Sequence, residues 1–384
     1  MPRDIHEFID AHREEVRTGV ISDVELAKRF NKSVSSVRAI RNRANLNRKG
    51  EVAETADHFI NVRKERTTNN STRKANEILM DEVERLREER EVWLKLQEGP
   101  ILSKIEPLHA SGTSEATYFT VASDWHIEER VRPDEVNGLN AYTLDIAIKR
   151  SEAFFQKGLK LYHMFSRDVK IDNWVLPLLG DFITSNIHDE LAETAQLAPA
   201  DAIWKAQNLI ASGIDFLLNN TKCKIIIPCK SGNHGRITKE QRHATEEGNS
   251  LESFMYKNLA LHYKNEKRVQ FIISDGYHIY LDVYNQTLRI HHGHSMRYGG
   301  GVGGIYIPVN KALAQWNKAK TADLDIFGHF HQFRDGGNFI CNGSLIGYNA
   351  YALSIKAEFE RPQQASFLID KKRGKTIVAP LLFQ

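Results

Sequence analysis

Residues 118–126 read YFTVASDWH: an aromatic and β-branched run that stops at a carboxylate and an imidazole two positions apart, Asp124 and His126. A short apolar run rich in such residues is a strand signal. Polar groups straight after a strand are what an open α/β sheet gathers at its carboxyl edge, where ligands bind. The same arrangement recurs four times downstream. WVLPLLGD ends in Gly180-Asp181, KIIIPCKS runs into Gly232-Asn233-His234, LRIH precedes His292-Gly293-His294, and LDIF precedes Gly328-His329-Phe330-His331.

Outward from these blocks, strand-like runs at 118–122, 174–179, 224–228, 269–273, 278–284, 287–291, 325–327 and 339–341 alternate with helical patterns. The latter fall at about 144–165, 200–219, 250–264 and 309–319. No repeat of fixed period interrupts the alternation, so the expected architecture is a layered α/β domain over residues 115–384. The chain has 384 residues, 41% hydrophobic and 26% charged, a soluble globular balance that leaves room for a second domain.

Side chains at alternate positions of an extended chain point the same way, so Asp124 and His126 are expected to grip one ion and His329 and His331 to serve a shared site. Imidazole and carboxylate together suit Mn²⁺, Fe or Zn²⁺ better than Ca²⁺. Two such ions about 3.5 to 4 Å apart can hold both the attacking and the leaving oxygen of a phosphoryl group.

The ordered blocks D-x-H, G-D, G-N-H, H-G-H and G-H-x-H resemble those of the calcineurin-like metallophosphoesterases, over roughly residues 116 to 350, and DNA repair nucleases are among that family. The resemblance implies a double β-sheet sandwich flanked by helices, α/β/β/α. It implies two divalent ions, Mn²⁺ first and Fe, Zn²⁺ or Mg²⁺ as alternatives. Carried over by motif, Asp124, His126 and His331 would hold one ion, Asn233, His292 and His329 the other, and Asp181 would bridge them. His234 would contact the phosphate and assist the leaving group as acid or transition-state stabiliser.

Several departures stand out. The family commonly places an acidic residue directly after Asn-His, but here Gly235-Arg236 follows, which leaves the partner that orients His234 open and makes Arg236 a candidate phosphate contact. Gly180-Asp181 is followed by Phe-Ile-Thr-Ser-Asn in place of the family's usual nearby second carboxylate, which leaves the support of Asp181 open. Either His292 or His294 fits the fourth block, and the motif favours His292. The glycine run 299–304 is a flexible loop or a backbone cradle for phosphate. Asn342-Gly343-Ser344 reads as a structural turn, and the isolated His163, His188 and His243 as ordinary surface or core residues.

Residues 1–66 read differently. Apolar residues at Ile5, Phe8 and Ile9, then at Val24, Leu26, Ala27 and Phe30, then at Val34, Val37 and Ile40 suggest three short helices, with Asp23 capping the second and Ser33 the third. From Lys28 to Lys49 eight basic residues occur without one Asp or Glu. The run DVELAKRFNKSVSSVRAIRNR, 23–43, resembles helix-turn-helix domains, which implies DNA contacts from Ser35, Ser36, Arg38, Arg41, Asn42 and Arg43. Residues 67–114 read as a linker, polar at 67–73, followed by an amphipathic helix carrying Leu79, Val83, Leu86 and Trp93. That helix, 74–97, is expected either to form a homodimer or to pack on a neighbouring domain.

No uncharged apolar run approaches the roughly 18 to 20 residues of a membrane span, and the opening MPRDIHEFIDAHREE is too charged for a secretory signal. The expectation is a cytoplasmic protein with no membrane partner and three reduced cysteines. The blocks define a reaction class and not a substrate. A tethered DNA-binding segment would raise the local concentration of DNA phosphates, favouring a DNA nuclease. The alternatives are a phosphomonoesterase or cyclic-nucleotide phosphodiesterase, and a DNA-binding regulator on an inactive phosphoesterase-like scaffold.

Overall fold

A computed structural model describes residues 4–18, 20–44, 56–97, 114–298 and 303–383, and divides into two compact units, Met1–Pro107 and Leu108–Gln384. In the first, α1 (Ile5–Ala11), α2 (Arg13–Thr18), α3 (Asp23–Arg29) and α4 (Val34–Arg43) enclose a small core. It comprises Ile5, Phe8, Ile9, Val16, Leu26, Ala27 and Val37. In place of the first of the three expected helices, the one carrying Ile5, Phe8 and Ile9, there are two, parted at His12. Ser22, not Asp23, caps α3, its hydroxyl accepting the Glu25 amide at 3.2 Å. The Asp23 carboxylate instead accepts from Arg41, whose other terminal nitrogen donates to the Val16 carbonyl at 3.0 Å. Two nitrogens of the Arg41 guanidinium are thus engaged inside the unit. Ser35, Ser36, Arg38, Asn42 and Arg43 are exposed on α4, although Arg38 also approaches Asp23 at 3.4 Å.

The polar break expected at 67–73 does not exist. A single helix, α5 (Ala56–Gln97), runs through it and across the 66/67 boundary. Thr67 and Thr68 turn their hydroxyls back onto the Arg63 and Lys64 carbonyls at 2.8 and 2.9 Å, and Arg73 pairs with Glu77 one turn on. Polar side chains that bond to the helix's own carbonyls need no loop to satisfy them. Leu79, Val83, Leu86 and Trp93 are all exposed. Residues 98–113 of the expected linker, Gly99-Pro100 among them, lie outside the described residues.

The second unit is the expected α/β/β/α sandwich. Its strands are β1 (Ser114–Thr120), β2 (Val169–Val175), β3 (Lys224–Cys229), β4 (Val269–Ile273), β5 (Ile279–Val283), β6 (Gln286–Ile290), β7 (Leu324–Phe327), β8 (Arg334–Asp335), β9 (Phe339–Cys341), β10 (Gln363–Gln364), β11 (Ser366–Asp370), β12 (Gly374–Val378) and β13 (Leu381–Leu382). One sheet has the order β12-β11-β1-β2-β3-β4 and the other β5-β6-β7-β9-β8, with β10 and β13 paired separately. Alternation along the strands builds the layers. Tyr118 and Ile225 face the helix layer, while Phe119 and Val175 face the second sheet and meet Leu288, Ile290, Ile326 and Ile340 there.

Helices α6 (Leu144–Phe165), α7 (Asp189–Thr194), α8 (Pro199–Asn220) and α9 (Leu251–His262) follow in the chain, with α6, α8 and α9 contributing to the core on the large sheet. On the far side α10 (Tyr306–Trp316) lays Val309 and Leu313 over Phe327, Phe339 and Cys341. A last short helix, α11 (Ala350–Ser354), precedes the C-terminal strands. The strand expected at 174–179 begins earlier, at Val169, and ends at Val175. Cys223, Cys229 and Cys341 are free and buried. Among the described residues no helix is long and apolar enough to cross a membrane.

Candidate metal centre

Asp124, His126, Asp181, Asn233, His292, His329 and His331 follow the carboxyl ends of β1, β2, β3, β6 and β7. Strand alternation is not what makes them converge. Asp124, His126, Asp181, His329 and His331 all have positive φ, between 47° and 70°. Non-glycine residues adopt this region rarely and at a cost that clusters at functional sites. The expectation that Asp124 and His126 share an extended chain is therefore corrected: left-handed turns aim both, and the intervening Trp125 is fully buried in the helix-side core.

Three overlapping groups result, each with ligand atoms within 4.8 Å of one another: Asp124, His126 and His331; Asp181, His292 and His329; and His126, Asp181 and His234. The Asn233 amide oxygen lies 3.2 Å from His292 Nε2 and so belongs with the second group. Asp181 stands in two groups, the position of a bridge. Its Oδ2 is 2.9 Å from His292 Nε2 and its Oδ1 accepts the His234 amide at 2.8 Å.

The donors fit divalent transition ions. Burial holds His126 and His329 well below the ordinary imidazole value, and neighbouring histidines add to it, so both present neutral rings. For His292 burial works the same way, but the Asp181 carboxylate outweighs it and lifts the ring to about 10. Burial opposes ionisation of Asp181, yet His292 and His234 keep it well below the usual carboxylate range. The pocket thus demands positive charge beside Asp181. His126 Nε2 and His331 Nε2 face one another at 3.2 Å, where two lone pairs need a proton or a metal between them.

A surrounding shell sets the tautomers. His126 Nδ1 meets the Thr184 hydroxyl at 2.9 Å, and His292 Nδ1 meets the Leu179 carbonyl at 2.5 Å, which leaves each Nε2 directed at the centre. Nδ1 of His234 meets the Thr184 carbonyl at 3.0 Å, the orienting partner that the sequence left open. The loop bearing Thr184 is itself pinned, since Glu128 Oε1 accepts the amides of Thr184 and Ser185 at 2.7 and 2.8 Å. Burial raises Glu128 to about 7 against those same amides. Thr184 carried no motif signal. Glu128 and Glu129, two and three residues beyond the D-x-H block, are the acidic signal the sequence carries here.

His294 does not join the centre's groups: its Nε2 lies 3.0 Å from Glu246, and its ring is edge-on to Tyr277. The part-buried Arg236 donates to the Asn233 carbonyl at 2.6 Å and lines a small hollow with Thr238, Arg242, Glu246 and Asn249. Asn342 is structural, donating to Ser123 Oγ at 2.8 Å and accepting from the Ala365 amide at 2.6 Å. Of the glycine run, residues 299–302 lie outside the described residues.

No protein-family model matches the sequence, and a comparison with curated proteins finds no relative. Among solved structures, a hypothetical protein of Pyrococcus horikoshii is 11% identical, with 70% of this chain and 89% of that chain covered and a TM-score of 0.34. A dimetal phosphatase of Danio rerio is 12% identical, covering 70% and 99% at a TM-score of 0.33. For a predicted phosphoesterase of Streptococcus pneumoniae the values are 11%, 69%, 97% and 0.26. Likenesses of this degree leave the chemistry to be argued from the side chains.

Proposed function

We propose that the second unit is a dinuclear metal-dependent phosphoesterase that hydrolyses phosphodiester bonds, with DNA as its substrate. The observation that carries the reading is the buried and half-buried set of imidazole nitrogens, two carboxylates and one amide turned on one another with Asp181 in the middle. Asp124, His126 and His331 would hold one ion, Asn233, His292 and His329 the other, and Asp181 both. Two divalent ions there, Mn²⁺ by preference, would supply Lewis acidity toward a phosphoryl group and lower the pKa of water.

The chain's own groups do the rest. His234, held through Nδ1 by the Thr184 carbonyl, turns its other nitrogen to the space beside His126, where it can hold a proton for the leaving oxygen. Arg236 steadies the Asn233 loop through its Nη1, its Nε being buried, and would bring its charge toward a phosphate oxygen. Shielding of the centre from water strengthens each of these interactions.

DNA is favoured by the first unit, where Arg38 and Arg43 stand exposed on α4 with Ser35, Ser36 and Asn42 on a basic, acid-free stretch of sequence. A helix bearing small polar and basic residues suits a major groove, and its phosphate contacts would be salt-dependent. The exposed stripe Leu79, Val83, Leu86 and Trp93 on α5 suits a homodimer, which would present two such helices.

The test uses the full chain with Mn²⁺ against labelled single- and double-stranded DNA, with bis-p-nitrophenyl phosphate and p-nitrophenyl phosphate alongside. Cleavage of the diester and of DNA is expected. Turnover of the small esters alone would replace the nuclease by a phosphomonoesterase or cyclic-nucleotide phosphodiesterase. Inertness toward all of them, with DNA bound, would leave a regulator on an inactive scaffold.

A further inference from the structure

We infer that Glu252 is a positioning residue of the metal centre, one carboxylate that locks the loop carrying Asp181 to the loop carrying Asn233 and His234, and that Gly235 exists to admit it. The inference rests on the metal-centre reading above. Glu252, near the start of α9, is fully buried. One of its oxygens accepts the Phe182 amide at 2.7 Å, the residue directly after Asp181, and the other accepts the Gly232 amide at 2.8 Å, directly before Asn233. Nothing else among the described contacts joins those two amides through one side chain.

The fit is steric as well as polar. A Cβ at Gly235 would lie 2.7 Å from Glu252 Cγ and 2.9 Å from Cδ, closer than real side chains approach, and 3.0 Å from Oε2. A side chain at 235 and the Glu252 carboxylate are therefore alternatives for one hollow. The start of α9 is docked on the same loop: the Leu251 amide donates to the Gly235 carbonyl at 2.8 Å, and Ser250 caps the helix by accepting the Glu252 amide at 3.2 Å. Removal of the carboxylate would leave two buried amides unpaired and the two ligand loops free to move apart. A ligand displaced by even about 1 Å loses its ion geometry.

The experiment is calorimetric titration of the full chain with Mn²⁺, with the melting temperature of each metal-free variant measured in parallel. Glu252→Gln keeps the volume but offers one acceptor oxygen to two amides. It is expected to stay folded and to bind Mn²⁺ about ten- to a hundredfold more weakly, the usual consequence of losing an outer-shell partner. Glu252→Ala should bind no better. In that background Gly235→Glu can return a carboxyl group to the hollow, because two carbon–carbon bonds span about 2.5 Å, near the 2.9 Å separating the 235 Cβ from Glu252 Cδ. The double variant is expected to recover most of the lost affinity, whereas Gly235→Glu alone should lose it.

Wild-type affinity in Glu252→Gln, or a double variant no tighter than Glu252→Ala, would overturn the inference and leave the metal-centre reading intact. A wild-type chain that takes up no Mn²⁺ would bring down both.

Discussion

Two buried clusters of acid and base lie in the same sandwich and are put together in opposite ways. On the outer face of the smaller sheet, Arg289 and Asp325 sit opposite each other on β6 and β7, neither more than 1% exposed. The guanidinium gives two nitrogens to the carboxylate at 2.7 and 2.9 Å and its third to the Lys320 carbonyl at 3.2 Å. That pair is closed. At the carboxyl edge Asp181 also meets a base, His292 at 2.9 Å, but further imidazoles crowd around it, and those of His126 and His331 are turned nitrogen to nitrogen. An arginine keeps its charge at any ordinary pH, whereas an imidazole can exchange its proton for a metal. The first cluster is architecture; the second could hold a cation.

The contrast can be broken most severely at Asp181. Asp181→Asn should lower Mn²⁺-dependent diester hydrolysis by roughly a thousandfold or more, since it removes the charge placed between both ion sites. Steady-state turnover of bis-p-nitrophenyl phosphate measures it, and retained activity would mean the open cluster is not the catalytic one. At the closed cluster the loss should be of stability instead. Arg289→Ala strands a buried carboxylate and is expected to cost about 3–5 kcal/mol, while exchange of both partners for leucine should cost far less. Denaturant unfolding of the metal-free chain decides this, and unchanged stability in Arg289→Ala would dissolve the distinction.

His292 and His294 sharpen it within a single motif. His292→Ala should remove one of two bound ions, and His294→Ala, which loses the Glu246 and Tyr277 contacts, should keep both. Metal analysis of the purified variants distinguishes them.

The smallest expected effect is at Glu128, whose folded pKa of about 7 lies above the ordinary carboxylate value because of burial. A raised acid favours the fold fully at pH below its unfolded value and loses that contribution as pH climbs through the folded one. Wild-type stability should therefore fall between about pH 4.5 and 7 from this group, and Glu128→Gln should flatten that fall. The variant would gain a few degrees in melting temperature at pH 8 and none at pH 4. An identical pH profile for the two proteins would refute the assignment.

Much of the sandwich could be read from the chain because its signals are local. Ile225, Ile226 and Ile227 announce a strand buried on both faces, and Ser33 announces the start of α4. Where apolar character thins the strand signal fades: in the first residues of β2, Val169 to Asn173, only Ile171 is buried, and the pattern becomes legible at Trp174. The hairpin β11–β12 is absent from the expected strands, yet β11 lies beside β1 and sends Phe367 and Ile369 into the space between the sheets. At 67–73 a polar composition suggested a linker, and hydroxyls bonded to the helix's own carbonyls overrode it.

Read alone, the sequence determined the kinds of donor and their delivery at strand ends, because a strand's pattern and the residue after it are adjacent in the chain. It could not determine who meets whom. That His292 faces Asp181 while His294 turns to Glu246, that Arg41 folds back on Asp23, and that Glu252 occupies the hollow over Gly235 follow from the order of strands in two sheets and the docking of helices on them. Such contacts join residues distant along the chain, and they form only when burial and hydrogen bonding are satisfied throughout the fold together.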